Sequence, residues 1–110
     1  VIEMKTTIWI TTIFEAFHRW KDAPEEVYFL RAYHRHIFEV EIGVAVRHDD
    51  RDIEFLQFKD EVNEYIKKHF ERKRFELSCE MIAKRLFNEF TAEYVKVSED
   101  GENGATIERE

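Results

Sequence analysis

LRAYHRHIFEVEIGVAV, residues 30–46, decides the fold. Its even positions read His34, His36, Phe38, Val40, Ile42, Val44 and Val46, an apolar row headed by two histidines, while Glu39 and Glu41 stand at odd positions. Successive side chains of a strand point to opposite faces, so a period of two predicts a long strand from about Ala32 to Val46 with both imidazoles on the core face. Further back, Ile8, Ile10, Thr12, Phe14 and Ala16 share parity with His18, and β-branched residues dominate; a first strand is predicted from about Thr6 to His18. Its other side, with Trp9, Ile13 and Phe17, is apolar too. Such a strand is expected to be covered twice, by helices on one face and by another subunit or sheet on the other.

Antiparallel pairing of these strands could bring His18, His34 and His36 to one point. Three neutral imidazoles and one open position form the ligand set of a catalytic zinc ion, which polarises a bound oxygen or lowers the pKa of water. A lone His-x-His is also a common pair of surface or hydrogen-bonded side chains; His18, ending its own patterned strand, strengthens the metal reading. His48, among Asp49, Asp50, Arg51 and Asp52, reads as a solvated loop residue.

The segment from Lys21 to Phe29 contains Pro24 and acidic residues and reads as a loop. Beyond the acidic turn, Phe55, Phe58, Val62, Tyr65 and Ile66 recur at spacings of three and four and predict an amphipathic helix. Ser78 is placed to cap a second helix, with Glu80 in its first turn and a stripe of Ile82, Ala83, Leu86, Phe87 and Phe90. A third strand, Tyr94 to Glu99, and a fourth, Ala105 to Glu108, flank the turn sequence DGENG. The expectation is a single α+β domain over residues 1–110, in the order ββααββ: an antiparallel four-stranded sheet with two helices on one face.

Composition narrows the function classes. At 110 residues, 44% apolar and 15% aromatic, the chain can bury a core in one domain. A net charge of −7 argues against a general nucleic-acid binder. The basic run KKHFERKR, following the first helix, reads as a solvated helix end whose cations suit the dipole. No apolar run approaches the roughly 20 residues that cross a bilayer, and the first residues lack the layout of a secretion signal. With Cys79 as the one cysteine, no intrachain disulfide forms, and a cytoplasmic location is the default expectation. Cys79, at a helix start, reads either as packing or as a thiol of lowered pKa.

Read together, these segments resemble the 6-pyruvoyltetrahydropterin synthase and 6-carboxytetrahydropterin synthase family, whose members adopt the tunnelling fold. FEAFHRW resembles the family's Phe-x-Ala-x-His segment, and YHRHIFEVEI its His-Gly-His and long strand. IEFLQFKDEV is similar to the Asp-Phe-x-x-Leu-Lys opening the first helix, LSCEMIAKRLF to the Thr-x-Glu-x-x-Ala opening the second, and YVKVSED to the Val-x-Val-x-Glu-Thr strand. The resemblance implies that His18, His34 and His36 ligate zinc. It also implies that Glu99 receives the guanidine-like edge of a pterin through two parallel N–H bonds, and that subunits join face to face into a homo-oligomer, a trimer or hexamer.

The chain departs from the family at several places. Leu30 stands where the family carries a cysteine, Lys67 and Lys68 where it carries an Asp-His pair, and Arg35 between the metal histidines in place of glycine. Two functions compete: a zinc-dependent lyase acting on a dihydroneopterin-triphosphate-like substrate, with His69, Glu25 or Glu26 replacing the cysteine, or a binding module for a pterin or purine-like heterocycle without turnover. A structural oligomer without metal is a third reading.

Overall fold

The computed structural model describes residues 2–110. Two twelve-residue strands, β1 (Thr7–His18) and β2 (His34–Ala45), pair antiparallel along their whole length, with Thr7 opposite Ala45 and His18 opposite His34. This register places even residues of both strands on one face. There Ile10, Phe14 and Ala16 meet Phe38, Val40, Ile42 and Val44, all buried. Phe14 stacks on Phe38 with ring centroids 5.1 Å apart and on Phe70 at 5.7 Å.

Two helices cover this face. α1 (Phe55–His69) packs over β1 through Phe58, Val62 and Ile66; its first turn is capped by Glu54, whose carboxylate accepts the N–H groups of Leu56 and Gln57. α2 (Cys79–Phe90) is capped by Ser78, as its sequence predicts: the hydroxyl accepts from Met81 N at 3.2 Å. It lies over β4 (Tyr94–Glu99) and β5 (Asn103–Glu108). The turn between these strands has φ of +57° at Asp100 and +71° at Gly101, with Glu102 N bonded to Glu99 O at 3.0 Å. Positive φ at both central residues matches the right-handed twist of a hairpin, which explains the Asp-Gly pair.

The expected four-stranded antiparallel sheet is corrected to a five-stranded mixed one, in the order β3-β1-β2-β4-β5. The added strand β3 is only Arg74–Phe75 and runs parallel to β1, held by Phe17 N to Lys73 O (3.0 Å) and Arg19 N to Phe75 O (3.3 Å). Two residues carry no readable periodicity, and they lie within or beside a basic run that masks them. That run is also more than a solvated end, because Phe70 within it is fully buried. Residues 25–31, read as loop in part, form a 3-10 segment after Pro24. The fourth strand begins at Asn103, two residues before the expected Ala105.

The sheet's other face is open: Trp9 is 57% exposed and Ile13 62%. No described helix is long and apolar enough to cross a membrane.

Candidate metal centre

The site grows from the strand register. His18 and His34 are directly opposed at the end of the β1–β2 ladder, and His36 pairs with Ala16, diagonal to His18 on the same face. The three rings gather edge to face, with centroids 4.6 Å (His18–His34), 5.2 Å (His18–His36) and 4.9 Å (His34–His36) apart. One nitrogen from each lies within 4.8 Å of the others. Beneath them Phe38 and Phe75 form an apolar floor, each within 6.2 Å of the His18 ring.

What each ring does with its Nδ1 is decisive. His18 Nδ1 lies 2.9 Å from the Leu77 carbonyl, His34 Nδ1 3.0 Å from the Ala32 carbonyl, and His36 Nδ1 2.6 Å from Asp100 Oδ2. Carbonyls and carboxylates only accept, so in each of these bonds the Nδ1–H donates. An outer acceptor that fixes the tautomer and turn of each imidazole is the support that metal-ligating histidines have. Asp100 also accepts the Ile37 N–H at 2.9 Å, so the β4–β5 turn is bolted to the strand carrying His36.

Glu99 stands beside two of the rings. Its Oε2 is 3.0 Å from His18 Nε2 and its Oε1 3.6 Å from His36 Nε2, while Asn103 Nδ2 donates to Oε1 at 3.3 Å. His18, only 7% exposed, has its pKa lowered, first by burial; the Leu77 hydrogen bond and the Glu99 charge pull it up, and the neighbouring imidazoles push it down again. Asp100 is held below the usual carboxylate range, chiefly by the Ile37 N–H and then by the His36 bond. The donor set is therefore three imidazole nitrogens that converge, which fits a borderline divalent cation such as zinc.

A cavity of about 530 Å³ adjoins the cluster, with His18, His34, Leu30, Cys79 and Glu99 in its wall. A hollow of about 670 Å³, lined by Thr11, Glu39, Glu41 and Lys96 among others, contains none of the three histidines. The second is larger, but the chemistry belongs to the first.

The other proposed site residues lie apart from this centre. Glu25 bonds Arg31 at 3.2 Å, Glu26 is exposed on the 3-10 segment, and His69 packs on Tyr65 with ring centroids 4.2 Å apart at the end of α1. None of the three lines the cavity. Asp100 and Cys79 are the residues the sequence reading did not place at the site. The Asp-Gly pair signalled a tight turn beside Glu99, and with it the position of Asp100. Nothing in the spacing signalled Cys79, which enters because α2 begins where β1 ends. Burial, then the charges of Glu99 and Glu80, push its thiol up to about 12, so it reads as packing and not as a thiol of lowered pKa.

No protein-family model matches the chain, and no curated protein matches it in sequence. Its fold does have a solved counterpart: 6-pyruvoyl tetrahydropterin synthase of Caenorhabditis elegans aligns with a TM-score of 0.77 over 97% of each chain, at 12% identity. The chain thus has the fold of that synthase. At this identity the likeness speaks for the fold alone.

Proposed function

We propose that this chain binds one zinc ion on His18, His34 and His36 and receives a pterin-like heterocycle in the adjoining cavity, acting on a dihydroneopterin-triphosphate-like substrate. The observation carrying the proposal is the convergence of three imidazoles, one nitrogen of each within 4.8 Å of the others, with every Nδ1 engaged by an outer acceptor. Zinc bound there would act as a Lewis acid toward substrate oxygens and raise the acidity of neighbouring C–H bonds. The chain's own part is to orient the ligand and exclude water: Leu30 and Cys79 supply apolar wall, and the carboxylate of Glu99 can accept two parallel N–H bonds from a guanidine-like edge.

Turnover needs an acid–base group, and here the chain is sparse. Leu30 stands in the cavity wall where the resembling family has cysteine, and Glu25, Glu26 and His69 line no part of that wall. These three would act on a ligand only across a boundary between subunits. A homo-oligomer is part of the proposal, supported by Trp9 and Ile13 on the open sheet face. The same wall favours the second reading, a metal-dependent binding module without turnover.

Incubating the zinc-loaded protein with dihydroneopterin triphosphate separates the two. A new pterin product whose formation stops on chelation supports the lyase; saturable binding with unchanged ligand supports the module. Absence of both product and binding contradicts the proposal.

A further inference from the structure

At the histidine end of the sheet the odd residues gather positive charge. In register, Phe17 of β1 lies between Arg35 of β2 and Arg74 of β3, and Arg19 follows with its N–H bonded to Phe75 O at 3.3 Å. Tyr33, just before β2, has two guanidiniums over its ring: Arg19 at 4.8 Å from the centroid and Arg74 at 5.6 Å. Arg74 also stands 6.0 Å from the Phe17 centroid. In a chain of net charge −7 this is a local reversal of sign. Carboxylates do not balance it. Glu15 is taken by Arg35 and Glu76 by Arg19, the latter at 3.1 Å, and among the described residues Arg74 has no carboxylate partner. Arg19 Nε is buried without an acceptor, so Glu76 engages only one end of that guanidinium. A ring neighbour desolvates the face of a guanidinium without using its N–H donors. Two cations sharing one ring repel each other, and an anion that accepts from both removes that cost.

We propose that Arg19 and Arg74 form an anion site at the rim of the cavity, taking the phosphate chain of a ligand whose remainder enters the cavity. Arg19 and Trp20 belong to the cavity wall, so the site continues the cavity outward, past the end of β1. A phosphate chain suits it better than a single carboxylate. Its many oxygens accept in pairs from guanidinium forks, and its length lets it reach both cations around the Tyr33 ring. The proposal rests on the heterocycle reading above for what carries the phosphates, whereas the arginines themselves need neither zinc nor the histidines.

Inorganic tripolyphosphate is the probe, titrated calorimetrically into the full chain without added zinc, which the probe would chelate. The unmodified protein is expected to bind it saturably. Arg74 is exposed, so Arg74→Gln should stay folded, and it is expected to weaken binding about 10-fold or more, the worth of a charge-assisted hydrogen bond. Lys96→Gln removes the same charge from the row of Thr11, six residues and roughly 20 Å along β1 from Phe17, and should leave affinity within about twofold. Absence of saturable binding overturns the proposal, as does unchanged affinity in a folded Arg74→Gln or an equal loss in both variants, which would mean net charge alone. A native mass that changes in Arg74→Gln while the unmodified protein ignores tripolyphosphate also overturns it and assigns the arginines to a subunit contact. None of these results depends on zinc content, so the metal reading stands or falls separately.

Discussion

Asp100→Asn tests how the centre is supported without touching a ligand. Asp100 uses both oxygens, Oδ1 toward Ile37 N–H at 2.9 Å and Oδ2 toward His36 Nδ1–H at 2.6 Å. Asparagine has one acceptor oxygen, so in the same pose its NH2 group confronts a donor, and one of the two bonds must break. Backbone strain does not confuse the result, because the φ of +57° at this position is one that asparagine adopts readily. If the side chain keeps Ile37, His36 loses the anchor that orients its ring; if it keeps His36, the ring faces a weaker, uncharged acceptor and the turn loses its bond to the Ile37 N–H. Either loss is that of an outer-shell partner, with an expected 10–100-fold fall in zinc affinity. Competition against a chromophoric zinc chelator at neutral pH reads the change, with circular dichroism confirming the fold. Affinity within about twofold of the unmodified protein, in a folded variant, would refute the claim that the Nδ1 contacts organise the site. The depressed pKa of Asp100 adds a sign: its contribution is present above the ordinary value of 3.8 and lost only as pH falls through the lowered folded value.

Three further outcomes follow from packing. Phe14→Ala removes a ring that is 2% exposed and stacked between Phe38 and Phe70, and should cost about 3–5 kcal/mol in urea unfolding; a loss under about 1 kcal/mol would contradict the assigned core. The Cys79 thiol, raised from 9.0 to about 12, should react slowly with a disulfide reagent at pH 8 in the native protein and quickly in urea. Since the unfolded thiol ionises first, stability should fall as pH rises from 9.0 toward about 12, and a native thiol that reacts as fast as the unfolded one would overturn the burial argument. Placing charge on the open face with Ile13→Glu should lower the native mass measured by light scattering, whereas an unchanged oligomer would remove that face from the interface.

Much of this architecture was legible because strands alternate strictly. Parity alone put His18, His34 and His36 on the buried side of β1 and β2, and the pairing of His18 with His34 then follows from one choice of register. The Ser78 cap and the stripe of α2 were readable for the same reason, since each is a local pattern. What the sequence concealed is carried by the backbone or by length: the carbonyls of Ala32 and Leu77 that orient two histidines have no side-chain signature, and β3 is too short to show a period. Glu99 was reachable only through the family resemblance, which aims it at a heterocycle, whereas its distances to His18 and His36 also put it beside the metal position. Cys79 shows the limit of distance along the chain: 61 residues beyond His18, it shares a cavity wall with it.

The account depends most on three imidazoles sharing one cation, and elemental analysis of tag-free protein is its most direct measurement. It predicts one zinc per chain in the unmodified protein and a near-complete loss of that zinc in a folded His34→Ala variant. Zinc-free unmodified protein after zinc loading, or full zinc retained by His34→Ala, would contradict it.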